Sequence, residues 1–529
     1  MLRSHRLIAR LLSGLLGAAL LSSCGPVVSY ADVRQTAQAL GCWPNRPAYP
    51  TPPPVTVTPP VPLTPVPLGW RRPVGQPTPT AFPTTTPYPR CAAAPGETLV
   101  PWPTPVPPPP PFPTMEDTRA GGGSGQKTTL QLPEVILSTD ITTHPTQGWP
   151  AVAATVWSGN DNPERAFVSV YNPRTRTWTP AHQVDIGAAS IGRFARSIEV
   201  AITGDGVVHA VWGMSQGTPG SVWAAESRDY GTSWSVPVKI GDRCRQVNDL
   251  AATLSGWLVA GLICDVSPTA VQPAIATRSP AGVWSLTRLP GAVWYFSAGA
   301  VAIANDRIGE TPQATVLFLT GPDGAMIVPP RLLLFRAALA EAAPSWTGAR
   351  RDFVLPGGLE AGPRTWHARS VVYRPQGAAQ DHVSFMFSDA ERYRAYAVTS
   401  QDGGASWLTP ELVAAPEAGG EQIHFAAPAF DSQSQRLVAI WTCCTDGSWN
   451  DALPSTHYVS ASVPGSGVWQ GATAGLRVPL ITGARAAGAT VTAQGRNEAQ
   501  TWLAWIEGGR TLEVRSIDLA TVLPRQEAP

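Results

Sequence analysis

Ser227-Arg228-Asp229-Tyr230-Gly231-Thr232-Ser233-Trp234 is the stretch on which the reading of this fold turns, because its pattern returns as Ser400-Gln401-Asp402-Gly403-Gly404-Ala405-Ser406-Trp407. Both read Ser-x-Asp-x-Gly-x-x-Trp. In a turn, such an aspartate can accept backbone N–H groups, the glycine reaches a φ closed to other residues, and the tryptophan can fill space between sheets. Outward from these two turns, tryptophans that follow a strand and a turn recur at Trp178, Trp234, Trp284, Trp346, Trp407 and Trp469. Their spacing of about 50 to 60 residues is the period of propeller blades and too long for solenoid coils.

A second shared strand precedes each tryptophan. The copies are Val208-His209-Ala210-Val211-Trp212, Leu258-Val259-Ala260-Gly261-Leu262, Ala314-Thr315-Val316-Leu317-Phe318, His382-Val383-Ser384-Phe385-Met386 and Leu437-Val438-Ala439-Ile440-Trp441, with Trp502-Leu503-Ala504-Trp505 as a further one. One unit parses into four strands: Ser197 to Thr203, Val207 to Gly213, Ser221 to Glu226 and Trp234 to Ile240. The two turns match the Asp box, or BNR repeat, and on them the chain resembles the sialidase superfamily of β-propellers. The other four turns keep the tryptophan and lose most of the motif, as in Ser462-Val463-Pro464-Gly465-Ser466-Gly467-Val468-Trp469. The expected fold is all-β, a sialidase-type propeller over residues 128–529, with seven blades, or six if the segment from Trp149 to Val184 is not a full blade. The last unit, Thr511 to Leu519, has no tryptophan-bearing outer strand, so Thr129 to Leu137 is expected to complete it and close the ring.

The resemblance implies that Ser227, Asp229, Gly231, Trp234, Ser400, Asp402, Gly404 and Trp407 are structural, on the face away from any active site. It places the working face where the first strand of each blade begins and the second ends. That choice selects Arg196, Arg369, His367 and His424 at strand beginnings, and Asp265, Asp389, Trp441, Cys443, Cys444, Asp446 and Glu507 at strand ends. Arginines among acidic and aromatic neighbours in a concave mouth suit a carboxylated or hydroxylated glycan. A sialidase requires three arginines for the sugar carboxylate, a tyrosine with a glutamate partner, and an aspartate acid. Arg196 and Arg369 share the context Ala-Arg-Ser, no third arginine stands out, and Tyr373-Arg374-Pro375 only echoes the family's Arg-Ile-Pro signpost. Catalytic residues are therefore not assigned. The function expected is glycan or envelope-partner binding, with an exo-sialidase-like glycoside hydrolase as the alternative.

The N-terminal quarter is of a different kind. A basic start (Arg3, His5, Arg6, Arg10) leads into the apolar run Leu11 to Leu21, too short to span a membrane and right for an export signal. Leu21-Ser22-Ser23-Cys24 matches the lipobox of bacterial lipoproteins, so residues 1–23 read as signal peptide and Cys24 as the acylated residue. Acyl chains hold such a protein on a membrane by about 0.8 kcal/mol per buried methylene. Residues 24–127 read as anchor and disordered stalk: much of the chain's 56 prolines lies here, and polyproline II at about 3.1 Å per residue lets some 70 residues reach about 200 Å. Gly25 carries no retention signal, so the extracellular and periplasmic sides both remain open.

Charge excludes one class of partner. The 38 basic and 37 acidic side chains of the 529 nearly cancel, so no field draws this chain to nucleic acid. No His and Cys spacing matches a metal site and no Gly-rich loop matches a phosphate site, so no cofactor is expected, and the protein is expected to be a monomer. In an oxidising compartment Cys244 and Cys264, equidistant from the turn at Leu254 and Ser255, are expected to bond across a hairpin, Cys42 and Cys91 could close a loop in the stalk, and the adjacent Cys443 and Cys444 are left open between thiols and a strained vicinal bond.

Overall fold

The computed structural model describes residues 127–519 apart from 158–163, 187–194, 215–219, 268–269, 291–295, 321–330, 342, 352–364, 390–393, 415–421, 445–454, 463–468, 470–477, 485–490, 495–499 and 508. Residues 1–126, which include the segment read as a signal peptide, Cys24, Cys42, Cys91 and all but the last residue of the segment read as a stalk, lie outside these residues. No helix among them is long and apolar enough to cross a membrane.

Short runs rich in small and β-branched residues fold into seven antiparallel sheets, six of four strands and one of five. The chain is a seven-bladed all-β propeller. In blade 1 the strands are Val135–Thr143, Pro150–Trp157 and Arg165–Asn172, with an outer edge split between Thr177–Trp178 and His182–Gln183. Blade 2 runs Ala195–Ile202, Val208–Met214, Ser221–Ser227 and Val238–Asp242, and blade 3 runs Cys244–Ala252, Leu258–Ser267, Ala270–Arg278 and Trp284–Arg288. Blades 4, 5 and 6 begin on the inner strands Phe296–Ala304, Thr365–Tyr373 and Gln422–Asp431. The segment around Trp149 is thus a full blade, which decides for seven over six.

Blade 7 takes Val491–Gln494, Gln500–Glu507 and Thr511–Asp518 from the C-terminal end, and its outer strand, Lys127–Gln131, from the N-terminal side. Closure is therefore narrower than Thr129 to Leu137. Leu132 N–H still bonds to Arg510 O, but Val135 onward belongs to the inner strand of blade 1. Seven buried apolar clusters, one in each gap between neighbouring blades, complete the ring. Trp149, Trp212 and Ile198 fill the gap between blades 1 and 2, and Ile141, Val152, Trp502 and Ile506 the gap between 7 and 1.

The turns that revealed the fold are tightly bonded. Asp402 Oδ1 accepts from Ser400 Oγ at 2.8 Å and from Ser406 N–H at 2.7 Å, and Ser400 Oγ accepts from Gly404 N–H at 2.8 Å. Asp229 and Ser227 repeat these bonds with Ser233 and Gly231. Gly404 has φ +90°, and a Cβ there would stand 2.6 Å from Thr315 Oγ1 of blade 4, so the glycine serves both the turn and the blade contact. The sequence reading began the outer strand at Trp234, yet the strand starts at Val238, and Trp407 likewise stands ahead of Glu411–Ala414. Both tryptophans turn inward instead of pairing: Trp407 stacks on Phe385 at 5.2 Å, and Trp234 packs on the cluster between blades 1 and 2. Burial raises the proton affinity of Asp229 and Asp402, but the converging serine and backbone donors outweigh it and hold both carboxyls below the ordinary aspartate value. Such groups add stability above that value and lose it as the pH falls through the folded one.

Two outcomes are expected. Deleting residues 1–131 will lower the unfolding midpoint sharply, while deleting only residues 1–126 will leave it nearly unchanged, as thermal unfolding followed by circular dichroism would show. Asp402→Ala will cost about 1–3 kcal/mol in urea unfolding at neutral pH, a difference that shrinks as the pH drops below the ordinary aspartate range.

Candidate functional site

Seven inner strands converge on one axis, and what they carry there decides what the channel can do. Three inner strands carry an acid at a corresponding level: Asp140 in blade 1, Glu199 in blade 2 and Asp249 in blade 3, paired respectively with Ala153, Val211 and Gly261 of the adjoining strands. Blade 5 supplies Arg369 opposite Met386. Its guanidinium reaches across the axis, with Nη2 3.3 Å from Asp140 Oδ1 and Nη1 3.3 Å from Glu199 Oε2 and 3.6 Å from Asp249 Oδ1. The carboxylates are also tied to the next blade along. Val200 N–H donates to Asp140 Oδ2 at 2.9 Å, and Val301 N–H to Asp249 Oδ2 at 2.7 Å. Ser370 Oγ donates back to Val301 O at 2.6 Å.

Three carboxylates against one guanidinium would leave an excess of two negative charges, which a buried site does not tolerate unmodified. Burial, and then the adjacent Asp140 carboxylate, push Glu199 well above the usual carboxylate range despite Arg369. Burial also lifts Asp249 to about 6, with Arg369 pulling the other way. Arg369 stays charged: burial favours its neutral form, but the three acids outweigh that. Glu199 and Asp249 therefore hold their protons to a higher pH than free carboxyls do, Asp249 up to about 6.

A cavity of about 190 Å³ ends on this layer, floored by Asp140, Asp249 and Arg369 and walled by Val200, Ile202, Ile303 and Val372 among others. Its lining comes from the later halves of the inner strands, so it opens where the first and second strands turn. Third strands run in the same direction as first strands and end in the Asp boxes, so the cavity lies on the Asp-box side. The sequence reading had looked to the opposite end.

The predicted residues divide accordingly. Arg369 is at the centre but is engaged by three acids, which corrects its reading as a cation awaiting a sugar carboxylate. Trp441 is also corrected: it is 2% exposed, stacks on Tyr458 at 4.6 Å and packs between blades 5 and 6, because its strand position faces the neighbouring blade. Asp265, 6% exposed, is held by Arg245 Nε at 3.3 Å, and Glu507 accepts from Trp505 Nε1 at 3.1 Å. Both are intrastrand or cross-hairpin contacts at strand ends, not a shared mouth. Arg196, His367, His424, Asp389, Cys443 and Cys444 lie on strands whose side chains at those positions are outside the described residues, and Asp446 is wholly outside them. Cys244 and Cys264 stand directly opposite one another and are joined by a disulfide. Among the described residues no group of three His, Cys, Asp or Glu could hold a metal ion.

Sequence reasoning missed Asp140, Glu199 and Asp249. The signal was present but weak: an acid in the middle of each of three first strands, flanked by apolar residues in Ile198-Glu199-Val200 but by Thr139 and Asn248 in the other two. The reading had looked only at strand ends.

No protein-family model matches the chain, and no curated protein does. Among solved structures, the Hadza microbial sialidase Hz136 is similar at 11% identity and TM-score 0.41, over 74% of this chain and 66% of that one. The chain thus spans just under two thirds of that sialidase. The NanB sialidase of Streptococcus pneumoniae is similar at 8% identity and TM-score 0.42, over 74% and 70% of the two chains. An α-L-arabinanase of Penicillium chrysogenum, complexed with arabinobiose, is similar at 12% identity and TM-score 0.40, over 60% of this chain and 94% of that one. Likeness at this level concerns the propeller fold alone.

Removing the cation should expose how much the layer depends on it. Arg369→Met will leave three carboxylates facing one another and cost about 3–5 kcal/mol in urea unfolding at pH 7.

Proposed function

We propose that this chain is an exported lipoprotein, held through Cys24 on the outer side of a membrane, whose propeller binds a carbohydrate or an envelope partner without cleaving it. The observation that carries this reading is the engagement of Arg369. The arginine best placed to grip a sugar carboxylate is bonded to three acids of its own chain, so the channel repels an anionic sugar and suits a neutral, hydroxylated one. The export signal, the lipobox ending in Cys24 and the proline-rich stalk support a role at a distance from the cell surface.

One observation favours a second reading, a hydrolase of neutral glycosides. Burial raises the proton affinity of Glu199 beside Asp140 and Asp249, and a carboxylic acid working with a second carboxylate is the pairing that glycoside hydrolysis uses. Burial of all three and their bonds to backbone and Arg369 weigh against it.

The test uses the full-length chain in two assays: hydrolysis of fluorogenic sialosides and neutral glycosides at pH 5 to 7, and binding to a glycan array. Binding to neutral glycans with no turnover is the expected result. Turnover that disappears in Glu199→Gln would replace this reading with the hydrolase. Separately, Cys24→Ala should move the protein from the membrane fraction to the soluble one, and unchanged membrane retention would remove the anchor from the proposal.

A further inference from the structure

We propose that the layer of Asp140, Glu199, Asp249 and Arg369 is a proton-operated tie, in which the number of protons held sets how tightly blades 1, 2 and 3 are drawn to blade 5 across the channel. The geometry has two halves. Arg369 is a single cation shared by acids from three consecutive blades at 3.3, 3.3 and 3.6 Å. Each of Asp140 and Asp249 also bonds the backbone of the next inner strand, through Val200 and Val301. A change of charge at Asp249 is therefore felt by blade 3, which carries it, by blade 4 through Val301, and by blade 5 through Arg369.

The groups facing Asp249 among the described residues are few. Blade 1 presents Asp140, blade 2 Glu199 and blade 5 Arg369. Blade 4 presents only the Val301 N–H, the neighbouring Leu250 N–H comes from the same strand, and the cavity wall from blade 6 is Pro428. With every carboxyl ionised, one guanidinium would face three negative charges, and each proton that the acids take up brings the layer closer to balance.

The direction follows from linkage. A carboxyl whose proton affinity rises on folding adds stability as the pH falls and withdraws it as the pH rises through the folded value. For Asp249 that window runs from the ordinary aspartate value up to about 6, and for Glu199 it starts at the ordinary glutamate value and extends well above it. Three buried histidines act in the opposite sense. Burial lowers His144 and His457 to about 4 and His209 to about 3, so they withdraw stability as the pH falls below 6.5. The wild-type profile mixes both signs, and only the difference between wild type and a single variant isolates the layer.

The experiment is urea unfolding of the full-length wild type, Asp249→Asn and Glu199→Gln from pH 4 to 8, with hydrogen exchange at the Val301 N–H corrected for its intrinsic rate. The ratio of unfolding constants, wild type to Asp249→Asn, should rise by up to about tenfold per pH unit up to about pH 6 and then level off. The ratio to Glu199→Gln should likewise rise with pH above the ordinary glutamate value. The ratio of Val301 N–H protection, wild type to Asp249→Asn, should fall from pH 4 to about pH 6 and then level off. A ratio for Asp249→Asn that is flat from pH 4 to 6, in unfolding constants or in Val301 protection, would overturn the proposal. A further readout does not depend on variant stability: at pH 5 folded wild type should show an infrared carbonyl stretch of a protonated carboxyl group that Asp249→Asn lacks, and the same band in both would also overturn the proposal.

Discussion

A four-stranded antiparallel sheet with two apolar faces cannot bury either face by itself, and everything in this molecule follows from that constraint. Each blade supplies half of two apolar gaps, so no blade is complete until both neighbours are present. The constraint is cyclic, and the chain is linear. The break is sealed by handing the outer edge of blade 7 to Lys127–Gln131, which puts the two ends of the propeller in one sheet. Five backbone pairs thus convert a row of blades into a ring, and an open sheet edge on Thr511–Asp518 is covered at the same time.

Ring closure creates a second problem at the axis. The inner strands come close enough for side chains of four blades to meet, and in this chain they meet as three acids and one arginine. Water is largely excluded there, so charge has to be matched by hydrogen bonds, by the opposite charge, or by protons. All three devices operate: backbone N–H groups of the following blade reach Asp140 and Asp249, Arg369 reaches all three acids, and burial raises the proton affinity of Glu199 and Asp249. The layer fastens the middle of the ring as the apolar gaps fasten its body.

The periphery answers to local rules. In the Asp boxes, one carboxylate and one hydroxyl gather the turn's N–H groups, and the glycine that follows lets the turn pass against the preceding blade. The tryptophan is released from strand pairing to enter the gap between blades. Asp381 does comparable work nearby, accepting from Asn305 N–H of blade 4 at 2.7 Å and from Arg374 Nε at 2.6 Å. Such contacts join adjacent hairpins, and their reach is one blade.

How much of this was legible in the sequence depended on the range over which each feature acts. The two Ser-x-Asp-x-Gly-x-x-Trp turns, the strand copies from Val208 to Trp212 onward and the missing outer strand after Thr511 were enough for an all-β propeller closed by its N-terminal strand, because turn chemistry and strand period are properties of neighbouring residues. The opposed cysteines of the hairpin at Leu254 were legible for the same reason. The choice of seven blades over six, the inward turn of Trp234 and the burial of Trp441 were decided only when neighbouring sheets packed. The same holds for the candidate site. Arg369 was visible as an arginine on a strand, while its three partners lie 229, 170 and 120 positions away, at Asp140, Glu199 and Asp249. Local sequence determined the turns, the strands and hence the blades; the tertiary structure alone decided which charges meet, because closing the ring brings strands together across a distance that no local pattern spans.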